Sequence, residues 1–315
     1  MKHIFIVNPA AGKQDATEYV KSSLVGLDID YEIYSTKCQG DATRYVESLA
    51  KTGEEYRVYA CGGDGTFNEV ASGAVGCDNI SVSVFPCGSG NDYIKYYGPV
   101  SEFKDIESLV NGVATKVDIM KVHGRYAVNF VHFGFDSACL QTMMRVRRKP
   151  IIGGRNAYTT GVVTALVNGM KHNCIVTVDG EKLGNDKMLL CTVGNGKYVG
   201  GKYKCAPLSD NSDGFMEICH VNSVPRLKFI MLMSAYEKGS HLSDSRFEKF
   251  VNYRRGKVVE VQSADGSEMH FSIDGELQFA EKFRVEIVEK ALNFIVPYKL
   301  HEKIALKERE ESIVN

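Results

Sequence analysis

Between Arg57 and Val75 the chain reads R-V-Y-A-C-G-G-D-G-T-F-N-E-V-A-S-G-A-V, an apolar run, a glycine-rich turn with one carboxylate, then a helix start. Val58, Tyr59 and Ala60 read as a buried strand, whereas Phe67, Val70, Ala71 and Ala74 recur at helical spacing. The chain has to turn hard between them. Gly62, Gly63 and Gly65 allow positive φ and close approach of a ligand to the backbone, and amides at a helix start face an anion. Asp64 would repel a phosphate held there unless a cation intervenes, so the turn implies Mg²⁺ beside a nucleotide. By itself G-G-x-G is as often a plain strand-to-helix turn.

Two further segments share this layout. Residues 2–7 are an apolar strand followed by Asn8-Pro9-Ala10-Ala11-Gly12-Lys13, and a helix over 15–25 would carry Tyr19, Val20 and Leu24 inward. Residues 81–86 read as a strand leading into Cys87-Gly88-Ser89-Gly90-Asn91-Asp92. In an open parallel sheet such loops leave the carboxyl ends of the strands, so three of them from neighbouring strands converge on one crevice. None is a Walker A loop, because Gly12-Lys13 is followed by Gln14, and no G-x-G-x-x-G occurs there.

In order and spacing, Asn8-Pro9 with Gly12-Lys13, Gly62-Gly63-Asp64-Gly65-Thr66 with Asn68-Glu69, and Gly88-Ser89-Gly90-Asn91-Asp92 resemble the diacylglycerol kinase catalytic domain. That family includes bacterial soluble lipid kinases and sphingosine kinases. The resemblance continues through Gly194-Asn195-Gly196, Gly200-Gly201, Ala206-Pro207, Asp213-Gly214 and Asp274-Gly275-Glu276, so it spans nearly the whole chain. It is specific for the superfamily and does not name the lipid.

Composition is that of an ordinary enzyme. The 315 residues favour two domains, and 44% apolar residues suffice for two cores. A formal net charge of −1 gives no support for a nucleic-acid partner. Nine cysteines without a C-x-x-C pair fit a reducing compartment better than a disulfide framework or a zinc site. The apolar N-terminal stretch is too short for a signal peptide, and no run approaches the ~18 apolar residues of a bilayer span. The expected location is the cytoplasm, peripheral to the inner membrane face, where a lipid would be met at the membrane surface.

Two grammars divide the chain. Over 1–124, strands at 2–7, 29–35, 58–61, 82–86 and 116–122 alternate with helices at 15–25, 41–51, 66–74 and 101–111, the pattern of a doubly wound, mostly parallel α/β sheet domain. Over 125–296, strands at 126–131, 174–179, 188–194, 215–220, 258–262, 268–273, 283–288 and 292–296 are linked by Asp-Gly turns at Asp179, Asp213, Asp265 and Asp274. The expected fold class is therefore α/β plus all-β, the second domain an antiparallel β-sandwich with helical insertions at 136–148, 157–167 and 226–241. The resemblance implies that the tail, 297–315, packs back onto the first domain.

Phosphoryl transfer to an alcohol requires clamped nucleotide phosphates, a cation and a base within reach of the attacking hydroxyl. Two D-G-E sequences compete for the base, Asp179-Gly180-Glu181 and Asp274-Gly275-Glu276, and spacing does not choose between them. The resemblance does: it places the base at Glu276, oriented by Asp274, and leaves the first pair as a surface turn. It implies ATP as phosphate donor, with Mg²⁺ on Asp64. The phosphates and adenosine would be held by Asn8, Pro9, Ala10, Ala11, Gly12, Thr36, Gly62, Gly63, Asp64, Gly65, Thr66, Phe67, Asn68, Glu69 and Ser89.

Asp210-Asn211-Ser212-Asp213-Gly214 clusters oxygens about a glycine turn, but an EF-hand reading fails because His220 stands at the twelfth position. The resemblance implies a structural Mg²⁺ held by Asp213 and the carbonyls of Asp210 and Phe215, while an Asp-Gly turn without metal has equal standing on turn chemistry. Arg145, Arg147, Arg148 and Lys149 form the one dense basic run, which steers toward anionic headgroups or, more commonly, is a solvated helix end. F-I-M-L-M at 229–233 lines an acyl-chain cleft or, more commonly, a core. The partners expected are a lipid alcohol, diacylglycerol first and a sphingoid-type alcohol second, and at most a second copy of the chain in a homodimer. A soluble-alcohol kinase of the NAD kinase type and a nucleotide-binding regulator without transferase activity are the alternatives. Asn8-Pro9 and the G-S-G-N-D loop favour the lipid branch over the former, and retention of Asp64 with Glu276 argues against the latter.

Overall fold

Strands and helices alternate from the first residues of the structure, a computed structural model that describes residues 1–9, 11, 16–88, 90–146, 157–168 and 170–314. Two compact units result, one of residues Met1–Ile119 with Glu289–Asn315, the other of Met120–Val288. In chain order the first unit runs β1 (Lys2–Val7), α1 (Ala16–Leu24), β2 (Tyr31–Ser35), α2 (Asp41–Ala50), β3 (Tyr56–Gly62), α3 (Asp64–Ala74), β4 (Ile80–Pro86), α4 (Ile106–Val110) and β5 (Val113–Val122), the last crossing the unit boundary. β2, β1, β3 and β4 lie side by side, all parallel. Ile4, Phe5, Ile6, Val58, Tyr59, Ala60, Val82 and Phe85 are buried, as continuous apolar runs require when helices cover both faces.

The expected helix over 101–111 is instead a 3₁₀ segment, Val100–Lys104, followed by α4. Asp105 divides them. Its carboxylate accepts from the Ser108 amide at 3.1 Å, an N-cap that starts a new helix.

The second unit follows with β6 (Arg125–Ala127), β7 (Phe130–Gly134), α5 (Phe135–Val146), α6 (Ala157–Asn168), β8 (His172–Val178), β9 (Glu181–Lys182), β10 (Lys187–Gly194), β11 (Met216–Asn222), α7 (Arg226–Lys238), β12 (Val251–Gly256), β13 (Val258–Ser263), β14 (Met269–Ile273), β15 (Glu276–Ala280) and β16 (Lys282–Val296). One antiparallel sheet orders β15-β14-β7-β10-β11-β12, and β8, β13 and the first part of β16 form the facing layer. Val131, Phe133, Val193, Phe271 and Ile273 of the former pack with Val176, Val178, Val259, Val261 and Val285 of the latter in one core. The alternate side chains of the first sheet, Phe130, Leu190, Cys219 and Val221, join a second core with Phe135, Ala165, Phe229 and Tyr236 from α5, α6 and α7. Burial on both faces explains why the β10 sequence shows no polar alternation.

The expected strand over 126–131 is interrupted between β6 and β7, and those over 283–288 and 292–296 are one strand. β16 passes Lys290 at φ 51°, where the Lys290 amide donates to Asp118 Oδ1 at 2.7 Å. Past Asn293, which pairs with Ser81 of β4 in parallel, the chain is again in the first unit. There α8 (Tyr298–Val314) buries Leu300, donates its Lys299 amide to Ser108 Oγ at 3.0 Å, and pairs Lys299 with Asp105 and Lys303 with Glu102.

Candidate functional site

Hydrogen bonds tie together the loops that leave β1, β3 and β4. The amides of Cys87 and Gly88 both donate to the Gly62 carbonyl, at 3.0 and 2.9 Å, and Asn8 Nδ2 donates to Thr66 Oγ1 at 3.2 Å. A side chain on Gly88 would lie 2.5 Å from Gly63 Cα, so only glycine lets the second and third loops touch. Thr36 closes the row, its amide donating to the Val7 carbonyl at 2.9 Å. Ala10, Gly12 and Ser89, and the basic residues Arg147, Arg148 and Lys149, lie outside the described residues.

α3 begins at Asp64, so its first-turn amides point out of the helix toward this loop cluster. The Phe67 amide is already committed to the Gly63 carbonyl at 3.1 Å, and the Phe67 ring is buried against Tyr93 and Phe294. Phe67 therefore supports the loop from the core. Glu69 and Asn68 lie further along the helix, the Glu69 carbonyl accepting from Thr43 Oγ1 at 2.9 Å. Pro9 and Ala11 sit in the turn after β1, where the Ala11 amide donates to the Asn8 carbonyl at 3.0 Å, and Gly65 has open space beside it.

Asp64 Oδ1 accepts from the Asp92 amide at 2.6 Å, while a methyl group on Gly90 would lie 2.5 Å from Asp64 Oδ2 and 3.8 Å from Asp92 Oδ2. Two carboxylates thus approach a glycine gap at a helix start, and Lys95 Nζ lies 2.6 Å from Asp92 Oδ1. This hard-oxygen donor set fits Mg²⁺ together with phosphate oxygens. Asp92 is the member that sequence reasoning passed over; its place beside the glycine loop was the available signal.

In the second unit both D-G-E sequences form two-residue hairpins with positive φ at Asp and Gly, 51° and 85° at Asp179-Gly180, 45° and 86° at Asp274-Gly275. Their surroundings separate them. Asp179 accepts from the amides of Lys257 and Val258, and Glu181, its side chain 77% exposed, pairs with Arg254. Asp274 takes the amides of Val128, Asn129 and Phe130 at 2.7, 3.0 and 2.8 Å, which is why the strand breaks between β6 and β7. Glu276 is 31% exposed and ion-pairs with Arg125. Replacing Asp274 by alanine strands three amides, and the expected loss is about 3 kcal/mol or more of folding stability. Urea unfolding would measure it, and an unchanged midpoint would remove this bracing role.

Gly275 also borders a pocket enclosing about 1000 Å³, its open mouth included. The walls are apolar, with Phe135, Leu140, Met143, Leu190, Phe229 and Met233 among them. The F-I-M-L-M segment therefore contributes Phe229 and Met233 to a cavity wall. His132 and Asp136 supply polarity, with His132 Nδ1 3.5 Å from Asp136 Oδ2 and His132 Nε2 buried without a hydrogen-bond partner among the described residues. Neither Arg125 nor His132 carries a sequence motif that would have identified it.

At the loop 210–215, Asp210 Oδ1 accepts from the Ser212 amide and hydroxyl at 3.0 and 2.7 Å. Asp213 accepts from the Phe215 amide at 3.0 Å and ion-pairs with Arg255, which also lies 3.0 Å from buried Glu217. The Asp213 carboxylate is thus shared between the Phe215 amide and the Arg255 guanidinium.

The sequence profile of the diacylglycerol kinase catalytic domain matches residues 2–122, and that of the YegS C-terminal NAD kinase beta sandwich-like domain matches 129–296. The chain belongs to the diacylglycerol kinase catalytic-domain family. It is thereby an ATP-dependent phosphotransferase. A diacylglycerol kinase of Bacillus subtilis is 29% identical over 285 residues, covering 86% of this chain and 88% of that protein. A diacylglycerol kinase crystal structure from Bacillus anthracis gives a TM-score of 0.66 at 22% identity, over 93% of this chain and 96% of that one. Yeast NADH kinase complexed with NADH gives 0.50 at 10% identity, over 94% and 82%. These two structural likenesses establish the α/β and β-sandwich folds of the family.

Proposed function

We propose that this protein transfers the γ-phosphate of ATP to a lipid hydroxyl, with diacylglycerol as leading acceptor and phosphatidic acid as product. The observation that carries the lipid reading is the apolar pocket reaching Gly275, between Asp274 and Glu276. Its walls suit hydrocarbon, with few polar groups among them. A soluble dinucleotide acceptor would leave such walls poorly matched.

The glycine loops after β1, β3 and β4 hold the nucleotide phosphates through backbone amides and the start of α3. Asp64 and Asp92 would hold Mg²⁺, which when bound spreads the negative charge of the phosphates. Glu276 accepts the proton of the acceptor hydroxyl as its oxygen bonds to the γ-phosphorus, and the bond from that phosphorus to the β,γ-bridging oxygen breaks to leave ADP. Arg125 holds the Glu276 carboxylate in place, and Asp274 braces the turn that carries it. No step is assigned to a second cation at Asp213.

Incubation of the protein with labelled ATP and mixed micelles of diacylglycerol, monoacylglycerol, sphingoid base, undecaprenol or NAD tests this directly. Label in diacylglycerol is the expected result. Label in NAD alone would overturn the lipid assignment, label in another lipid would move the acceptor within the class, and label in nothing would favour a nucleotide-binding regulator.

A further inference from the structure

α7 is apolar on two opposite sides. Phe229, Met233 and Tyr236 recur at helical spacing and border the pocket. Leu227, Ile230 and Met231 recur on the other side and are 78%, 59% and 46% exposed. An apolar side chain at high exposure is unremarkable singly, but these three have neighbours. Arg226 Nε and Nη2 donate to the Leu166 and Val167 carbonyls at 2.8 and 3.0 Å, clamping the start of α7 against the end of α6. On α6 the side chains of Val163 and Val167, one turn apart, are 54% and 60% exposed. Five of the fourteen strongly exposed large apolar side chains among the described residues thus gather on these two helices.

Charge says what covers this face. α6 contains no ionisable acid or base apart from the Tyr158 hydroxyl in its sequence. α7 carries Arg226, Lys228 and Lys238 against one acid, Glu237, which ion-pairs with Lys202. Lys238 lies eleven residues after Leu227, three helical turns on, and so falls on the same outward side. An apolar strip flanked by cations and poor in acids matches the boundary between acyl chains and anionic headgroups, with aliphatic groups entering the former and lysines meeting the latter. The same helix borders the pocket assigned to the acceptor, so a bilayer met by this face would adjoin the cavity a lipid would enter.

We propose that the α6–α7 face, through Val163, Val167, Leu227, Ile230 and Met231 with Lys228 and Lys238, docks the protein on a bilayer containing anionic lipid. This inference rests on the lipid-acceptor reading and specifies where the membrane is met. The test uses co-sedimentation of the full chain with phosphatidylcholine vesicles, with or without about 30% phosphatidylglycerol. Binding is expected to the anionic vesicles, to weaken as salt is raised, and to fall about tenfold or more in Leu227→Glu/Ile230→Glu. Transfer to a short-chain diacylglycerol in free solution should survive in that variant; absence of this transfer in the wild type would count against the proposed function and leave the docking result separate.

A second measurement does not depend on the double variant folding. The chain has no tryptophan, so Ile230→Trp supplies a sole indole reporter. Its emission should shift to the blue on anionic vesicles and be quenched by brominated acyl chains, whereas that of Tyr31→Trp, in the first unit, should not. No binding by the wild type, equal binding by the double variant, or an unshifted indole would overturn the proposal. So would a wild-type dimer in sedimentation velocity that the double variant dissolves, since the face would then cover a second copy of the chain.

Discussion

Glu276→Gln is expected to lower kcat by about 10²–10⁴-fold with little change in KM for ATP, because glutamine keeps the shape of the side chain and cannot accept the hydroxyl proton. Folding should be nearly unaffected. The ion pair to Arg125 is lost, but both side chains are more than a quarter exposed, 40% and 31%, and an exposed pair contributes about 0–1 kcal/mol. Glu181→Gln is the internal control, since Glu181 sits in an identical D-G-E turn and also faces an arginine. It should remain near wild type. Steady-state kinetics on both variants decide the matter: damage from Glu181→Gln together with a near-normal Glu276→Gln would place the base in the other hairpin.

Asp64→Ala should reduce kcat by about 10²–10³-fold, the usual cost of removing one preorganised electrostatic group from a reacting centre. Two effects are mixed in alanine, because Asp64 Oδ1 also accepts the Asp92 amide at 2.6 Å and so holds the third glycine loop against the second. Asp64→Asn separates them. Asparagine retains an oxygen for the Asp92 amide but loses the charge that a divalent cation needs. If the charge is what matters, both variants fall alike and the Mg²⁺ concentration giving half-maximal rate rises; recovery of activity by asparagine would instead make Asp64 a loop brace.

Much of this was legible along the chain because it depends on short-range chemistry. Alternating apolar runs and helical spacing marked β1, β3, β4 and α3 to within about two residues, since strand burial and glycine-turn geometry are local. The hairpins at Asp179 and Asp274 follow from positive φ, which Asp-Gly adopts readily. β12 and β15 escaped notice, because V-N-Y-R-R-G and E-L-Q-F-A are largely half-exposed and lack a clear two-residue period. The break between β6 and β7 was equally hidden, its cause being a carboxylate roughly 145 positions away that takes three amides.

The sequence by itself determined that three glycine loops follow three strands, that one carries Asp64, and that two D-G-E turns are available for a base. Tertiary structure decided which groups stand together within each unit: Gly88 against Gly63, Asp64 on the Asp92 amide, and the Asp274 turn at the rim of an apolar pocket. The physical reason is range. Backbone conformation answers to a few neighbouring residues, whereas a hydrogen bond to a distant amide or a cavity wall exists only once separate strands have packed.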